Sequence, residues 1–216
     1  MIVFDLDGTL IDSSQDLAVS MNATREHLGL APIDPNLVYS YVGNGVRVLV
    51  ERALGAAATP ELVERGHRFF LAHYAEHALD DTRLYSGIFE MLEKLAPEHT
   101  LAVLTNKPGF ITNRIVKALQ IFHYFHTIFG GDSLSAKKPD PVGLIEIMHQ
   151  TGIPAQETWM VGDSGVDVQT ARNAMVRSCG VLWGFQPASL RESHPDLIIT
   201  HPDELFQQLA QLRKAH

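Results

Sequence analysis

The chain has 216 residues, 45% of them hydrophobic, and a formal net charge of −8 at pH 7. This composition allows a large buried core, folded as one domain or as one domain with an insertion. The acidic balance is unfavourable for binding a nucleic-acid backbone, so we expect no nucleic-acid partner. The single cysteine, Cys179, excludes an intramolecular disulfide framework and is typical of a buried strand residue in a reducing compartment. No apolar run approaches the length of a bilayer-crossing helix, so we expect a cytoplasmic monomer or homodimer without a membrane partner.

Short apolar runs alternate with helical patterns along most of the chain. In chain order, the runs that predict buried strands lie at residues 2–4, 101–104, 128–129, 159–161, 180–182 and 197–199. The helical patterns lie at residues 88–95, 110–119, 142–150, 166–174 and 203–212. This alternation is typical of a parallel sheet covered by helices on both faces. The sequence therefore predicts an α/β core, a doubly wound (Rossmann-like) parallel sheet formed by residues 1–13 and 83–216.

Residues 14–82 break this alternation, because their apolar residues recur at helical spacing and no strand pattern is present. They predict an inserted helical domain. The insertion follows the first strand, on the side where open α/β sheets bind ligands, so it is positioned to act as a lid. His73 and His77 lie four residues apart within it, and we interpret them as part of a helix face because no third metal ligand accompanies them.

Polar side chains follow each of the first four predicted strands. They are Asp5 with Asp7, then Thr105 with Asn106, then Lys138, then Asp163 with Asp167. Ligands of such sheets bind outside the carboxyl ends of the strands, so residues far apart in sequence converge there. Several carboxylates, one ammonium group and hydroxyl and amide donors form a set suited to phosphoryl transfer, in which positioning and charge neutralisation provide most of the catalysis.

The order and spacing of these motifs resemble those of the haloacid dehalogenase superfamily of phosphotransferases. The matching segments are Asp5-Leu6-Asp7-Gly8-Thr9, Thr105-Asn106, Lys138-Pro139 and Gly162-Asp163-Ser164-Gly165-Val166-Asp167. Within the superfamily, Val42-Gly43-Asn44-Gly45 and Lys137-Lys138-Pro139-Asp140-Pro141 are most similar to the phosphoglycolate phosphatase family. The inserted helices are similar to the small cap domain of that family.

The resemblance implies roles for the acidic residues. Asp5 would attack phosphorus and form an aspartyl-phosphate, and Asp7 would protonate the leaving oxygen and then deprotonate the attacking water. Mg²⁺ would bind Asp5, the backbone carbonyl of Asp7 and Asp163, because hard oxygen ligands suit this cation. Asp167 would support the metal site without binding the ion directly.

The resemblance also implies the contacts to substrate. Thr105 and Asn106 would donate hydrogen bonds to phosphoryl oxygens, and Lys138 would offset the crowded negative charge. In the cap, Asn44 and Arg47 would contact the part of the substrate that is not transferred. The structural alternatives are a simple turn at Thr105 and Asn106 and an exposed helix residue at Arg47. Lys107, which follows Asn106, and Lys137, which precedes Lys138, can both be solvated side chains.

The leading hypothesis is a Mg²⁺-dependent phosphatase acting on a small phosphorylated metabolite, with 2-phosphoglycolate as the favoured substrate. A phosphomutase of the β-phosphoglucomutase type, a pyrophosphatase and a sugar-phosphate phosphatase carry similar core motifs and stay open. A signalling receiver module is disfavoured, because such modules take the phosphoryl acceptor from an interior strand and lack an inserted cap. A dehalogenase is disfavoured because Asp7 supplies acid–base chemistry that carbon–halogen cleavage does not need.

Overall fold

A six-stranded parallel sheet forms the centre of the computed structural model, which describes residues 1–214. Its strands are β1 (Ile2–Phe4), β4 (Leu101–Leu104), β5 (Phe125–Phe129), β6 (Trp159–Gly162), β7 (Arg177–Val181) and β8 (Leu197–Ile199). They lie side by side in the order β5-β4-β1-β6-β7-β8. The first strand pairs with β4 on one side and β6 on the other, with Ile2 opposite Leu101 and Trp159. The order reverses between β1 and β6, which is where a doubly wound sheet opens a ligand crevice.

Helices cover both faces of the sheet. They are α5 (Ile88–Leu95), α6 (Gly109–Ala118), α7 (Val142–Thr151), α8 (Gly165–Asn173), α9 (Pro187–Glu192) and α10 (Asp203–Lys214). Side chains of a strand alternate between faces, and the two buried clusters follow this rule. Ile2 and Phe4 belong to the cluster that includes residues of α5, α6 and α10, whereas Val3 belongs to the one that includes residues of α7 and α8. The predicted Rossmann-like fold class is therefore confirmed.

Along the chain, four helices come between the first strand and the remaining strands of the sheet. They are α1 (Ser14–His27), α2 (Pro35–Tyr41), α3 (Val46–Leu54) and α4 (Pro60–His77). Pro35 and Pro60 occupy first helical positions, where a missing N–H costs nothing, and Thr59 caps α4 by accepting a hydrogen bond from the Leu62 N–H at 3.2 Å. All four helices fall within residues 14–82, and the exact domain boundaries stay a prediction.

A short antiparallel ribbon connects these helices to the sheet. Its strands, β2 (Ile11–Asp12) and β3 (Arg83–Leu84), pair Ile11 with Leu84. The buried carboxylate of Asp16 joins the same two ends, because it accepts hydrogen bonds from the Asp81 and Thr82 N–H groups and from the Thr82 hydroxyl at 2.7–3.2 Å. The helical insertion thus leaves and re-enters the core at one place.

Three features of the fold differ from the sequence expectations. The third sheet strand begins at Phe125, before the predicted start at 128, because His126 and Thr127 interrupt the apolar pattern of an edge strand. The strand predicted at 180–182 spans Arg177–Val181 and contains Cys179, which is buried as expected. Helix α9 and the ribbon were too short to produce a periodic signal. Within residues 1–214, no helix is both long and apolar enough to span a bilayer.

Candidate active site

The first strand delivers Asp5 and Asp7 to the carboxyl edge of the sheet. The Asp5 N–H still donates to the Val161 carbonyl at 2.9 Å, so this residue continues the β1–β6 ladder. The chain then turns at Gly8, whose φ of +76° lies in the left-handed region that favours glycine. A Cβ at this position would lie 2.3 Å from Oδ2 of Asp163. Gly8 therefore allows the two acidic segments to approach each other closely.

An acidic cluster lies at this edge. Asp5, Asp163 and Asp167 each offer a carboxylate oxygen, these oxygens lie within 4.8 Å of one another, and all three residues are buried. Lys138 Nζ lies 2.9 Å from Asp5 Oδ1 and 2.6 Å from Asp167 Oδ1. Lys138 donates a hydrogen bond to Asp167, and the same ammonium group forms an ion pair with Asp5 Oδ1, a buried oxygen that has no other partner among the described residues.

Burial and charge crowding perturb this cluster. Desolvation raises the pKa of Asp5 to about 6, a shift that Lys138 opposes and Asp167 increases. Burial and the neighbouring charges of Asp167 and Asp5 raise the pKa of Asp163 well above its usual value. Burial disfavours the charged form of Lys138, but the attraction of Asp167 and Asp5 outweighs it and raises the pKa of that ammonium group. The carboxylates of the site therefore carry more negative charge than its ammonium groups neutralise.

The donor set fits a divalent cation. Four carboxylates face two ammonium groups, so two negative charges are uncompensated when all six groups are ionised; these groups are Asp5, Asp7, Asp163, Asp167, Lys107 and Lys138. Asp163 accepts one hydrogen bond, from the Phe185 N–H to Oδ2 at 2.7 Å. Both oxygens of Asp167 are engaged, one with Lys138 and the other with the hydroxyl and N–H of Ser164. Asp5 and Asp163 are thus better placed to bind Mg²⁺ than Asp167, which holds Lys138 and the start of α8.

The side chain of Asp7 belongs to a separate hydrogen-bonded group. Asp7 Oδ1 accepts from the Ser13 hydroxyl at 2.5 Å, and Lys107 Nζ lies 2.9 and 3.2 Å from the two carboxylate oxygens. Lys107 also donates to the hydroxyl of Tyr74, in α4, at 2.6 Å. Its side chain is only 3% exposed, so the interpretation of Lys107 as a solvated residue is wrong. Burial raises the pKa of Tyr74 to about 12, which keeps its hydroxyl neutral.

The structure separates the roles predicted for Thr105 and Asn106. Thr105 is buried and lines the pocket, with its hydroxyl oxygen 3.3 Å from the Lys107 N–H. The Asn106 amide donates to the carbonyls of Gly43 and Lys138 at 2.8 and 2.9 Å, and its oxygen accepts from the Lys138 N–H at 2.9 Å. Both amide protons of Asn106 are therefore engaged, so its side chain orients Lys138 and contacts the insertion where we expected it to donate to a phosphoryl group.

The pocket lies between the sheet edge and the helical insertion. Its polar floor includes Asp5, Asp7, Thr105, Lys107 and Asp163, and its apolar wall comes from Leu17, Val42, Val46, Leu49 and Phe185. Gln186 donates to the Val42 carbonyl, which adds a second hydrogen bond from the sheet domain to the loop before α3. The insertion thus covers the acidic cluster.

The two cap residues predicted to contact substrate are placed differently. Asn44 is half-buried, and it lies between Gly43 and Gly45, which line the pocket. Arg47 does not line the pocket, and its guanidinium pairs with Glu64 at 2.8 Å on the exposed surface. Arg47 follows Val46, which lines the pocket, but successive residues of a helix point in different directions, and Arg47 points towards Glu64 of α4. The prediction that Arg47 contacts the substrate is not supported by this arrangement.

Comparison with known proteins identifies the class of enzyme. The family model for haloacid dehalogenase-like hydrolases matches residues 2–181, so the chain belongs to this family. A curated phosphoglycolate phosphatase of Chromobacterium violaceum is 41% identical over 210 residues, which cover 95% of this chain and 94% of the relative. Another, from Aquifex aeolicus, is 34% identical over 96% of this chain and 95% of the relative.

A solved structure agrees with this assignment. The crystal structure of a predicted phosphoglycolate phosphatase from Haemophilus somnus superposes with a TM-score of 0.91 at 33% identity, covering 97% of both chains. The resemblance to the superfamily and the predicted enzyme class, a phosphoric monoester hydrolase, are therefore confirmed.

Proposed function

We propose that this enzyme is a Mg²⁺-dependent phosphatase that hydrolyses 2-phosphoglycolate through an aspartyl-phosphate. The observation that carries the mechanism is the buried Asp5 Oδ1, which belongs to a residue that lines the pocket and which has Lys138 Nζ, 2.9 Å away, as its one partner among the described residues. A carboxylate oxygen with a single partner keeps a lone pair available for attack. The names of the relatives, at 34–41% identity, support the choice of substrate.

The chain's own residues account for both steps. In the first, Asp5 attacks phosphorus, the bond to the ester oxygen breaks, and Asp7 gives a proton to the leaving alcohol. In the second, Asp7 takes a proton from water, which attacks phosphorus and releases Asp5 and inorganic phosphate. Ser13 and Lys107 hold the Asp7 carboxylate in one orientation through both steps. Thr105 lines the pocket beside the reacting group, and Lys138 offsets its negative charge.

A bound Mg²⁺ would supply the two positive charges that the site lacks, with Asp5 and Asp163 as the carboxylates best placed to hold it. The apolar wall, formed by the insertion and Phe185, limits the access of bulk water to the reacting groups, which strengthens the electrostatic interactions at the floor.

Phosphate release from a panel of small phosphate esters, with Mg²⁺ and with EDTA, tests the proposal. We expect 2-phosphoglycolate to be the preferred substrate, with turnover lost in EDTA and restored by added Mg²⁺. Asp5→Asn should abolish turnover and the acid-labile phosphoenzyme. Asp81→Asn is the matched control, because Asp81 is exposed and its contact with the core uses only the backbone N–H. Full activity after exhaustive chelation, or a phosphoenzyme in Asp5→Asn, would contradict the mechanism.

A further inference from the structure

We propose that Lys107 and Tyr74 together bind the carboxylate of the substrate, at the end that is not transferred. This inference rests on the proposed function, because it requires a phosphate ester with an acidic group. The motifs at Asp5, Lys138 and Asp163 act on the phosphoryl group and leave the other end of the molecule unrecognised. The pair that we assign to it consists of one residue from the sheet domain and one from the insertion.

Lys107 is the basic residue best placed to bind this carboxylate. Among the described residues that line the pocket, it is the one basic side chain, and Asp5 lines the same cavity. Two other basic residues are exposed and do not line the pocket: Arg47 pairs with Glu64 at the surface, and Lys137 lies beside Gly45. Lys138 is paired with Asp5 and Asp167, so a second anionic group on a substrate held at Asp5 meets the next positive charge at Lys107.

The donors of the pair are also available. The three N–H groups of Lys107 face three acceptor atoms, namely the two Asp7 oxygens at 2.9 and 3.2 Å and the Tyr74 hydroxyl at 2.6 Å, and the longest of these contacts is the one that a substrate oxygen can replace. The Tyr74 oxygen accepts one of these hydrogen bonds, so its own proton stays free to donate, and no other described residue takes it. The two donor atoms lie 2.6 Å apart, a spacing comparable with that of the two oxygens of a carboxylate. One N–H and one O–H can thus bind both oxygens, with the charge assistance that strengthens such bonds.

The packing holds both donors in place before substrate arrives. Tyr74 is 1% exposed and stacks on Phe70, with ring centroids 5.4 Å apart, and Lys107 Nζ lies 4.5 Å from the centre of the Tyr74 ring. Binding therefore costs little side-chain entropy. A carboxylate bound here joins α4 to the loop after β4 and seats the insertion over the reacting groups. Substrates with an acidic end gain from this contact, whereas neutral esters do not.

Selectivity between two matched substrates tests the assignment. The probes are 2-phosphoglycolate and 2-hydroxyethyl phosphate, which has a neutral hydroxyl in place of the carboxylate. We expect Lys107→Met to lower kcat/KM for 2-phosphoglycolate by about 10- to 100-fold more than for 2-hydroxyethyl phosphate, as for loss of a hydrogen bond to a charged group. Tyr74→Phe should lower the same ratio by a smaller factor, and Lys107→Arg should restore part of it. Lys137→Met, which removes an exposed lysine near Gly45, should leave the ratio unchanged.

The possible outcomes are distinct. An equal loss on both probes in Lys107→Met would show that Lys107 only positions Asp7, and would overturn the assignment. A wild-type enzyme without preference between the two probes would refute both the proposed substrate and the carboxylate contact. A wild-type preference that survives in Lys107→Met would refute only the contact. If Lys107→Met does not fold, Tyr74→Phe decides: an unchanged ratio, with unchanged inhibition by glycolate, overturns the proposal.

Discussion

Lys138→Met should expose how strongly one lysine stabilises the carboxylates around it. The side chains of Lys138, Asp5 and Asp167 are 2%, 8% and 2% exposed, so removing the ammonium group leaves two buried negative charges without their shared partner. Breaking a buried ion pair in this way costs about 3–5 kcal/mol. For a chain of this size each kcal/mol lowers Tm by about 2–4 °C, so we expect a decrease of roughly 6–20 °C.

The assay is thermal unfolding in EDTA, followed by circular dichroism between pH 5 and pH 8. The folded-state pKa of Asp5 is about 6, above the usual value for an aspartate, so ionised Asp5 destabilises the fold at high pH and protonation relieves it as pH falls. Removing Lys138 raises that pKa further, so the difference in Tm between variant and wild type should shrink towards pH 5.

Lys94→Met is the control. Lys94 pairs with Asp203 at 3.0 Å, but both side chains are about half exposed, and exposed pairs contribute little. This variant should unfold with the wild type at every pH. Equal melting temperatures for Lys138→Met and Lys94→Met would refute the assignment of Lys138 as the main counter-charge of the cluster.

Three further predictions concern the metal, the proton transfers and the cap. Asp7→Asn should keep Mg²⁺-dependent stabilisation but lose about 10²–10⁴-fold in kcat, since its side chain moves protons; a kcat near that of wild type would contradict this role. Mg²⁺ at a hundred times its Kd should increase the free energy of unfolding by about 2.7 kcal/mol and so raise the melting temperature in differential scanning calorimetry. Asp163→Asn should lose most of this gain. Arg47→Ala should alter kcat/KM for 2-phosphoglycolate and 2-hydroxyethyl phosphate equally, because its guanidinium pairs with Glu64 outside the pocket; a selective loss on 2-phosphoglycolate would restore Arg47 as a specificity residue.

The strand ends were the most predictable part of the site. Asp5 and Asp163 directly follow apolar strands, and Lys138 lies in the segment between two strands. Parallel strands bring such residues to one edge of the sheet whatever their separation in sequence. The fold class followed from the same alternation of strands and helices. Residues that act at the carboxyl edge are therefore accessible to reasoning from sequence.

Contacts between the insertion and the sheet were not predictable in this way. Lys107 lies 100 residues from Asp7 and 33 residues from Tyr74, and a lysine in a polar turn gives no sign of burial. Only its position three residues after the end of β4, at the edge of the sheet where the other site residues lie, would have favoured it. The same limit applies to Asn106, whose amide hydrogen bonds depend on where Gly43 lies in the folded protein.

The ribbon of β2 and β3 has a consequence for folding. Because Ile11 pairs with Leu84, the two ends of the insertion lie side by side. The insertion can therefore be treated as one long loop that connects two neighbouring points of the core. The entropy of closing a loop grows only with the logarithm of its length, so each doubling costs about 0.6 kcal/mol. Changing the length of this loop therefore costs the sheet little loop-closure entropy, while it changes the part of the pocket lining that the insertion supplies. The ribbon thus allows the segment that shapes the pocket to vary in length at little entropic cost to the sheet.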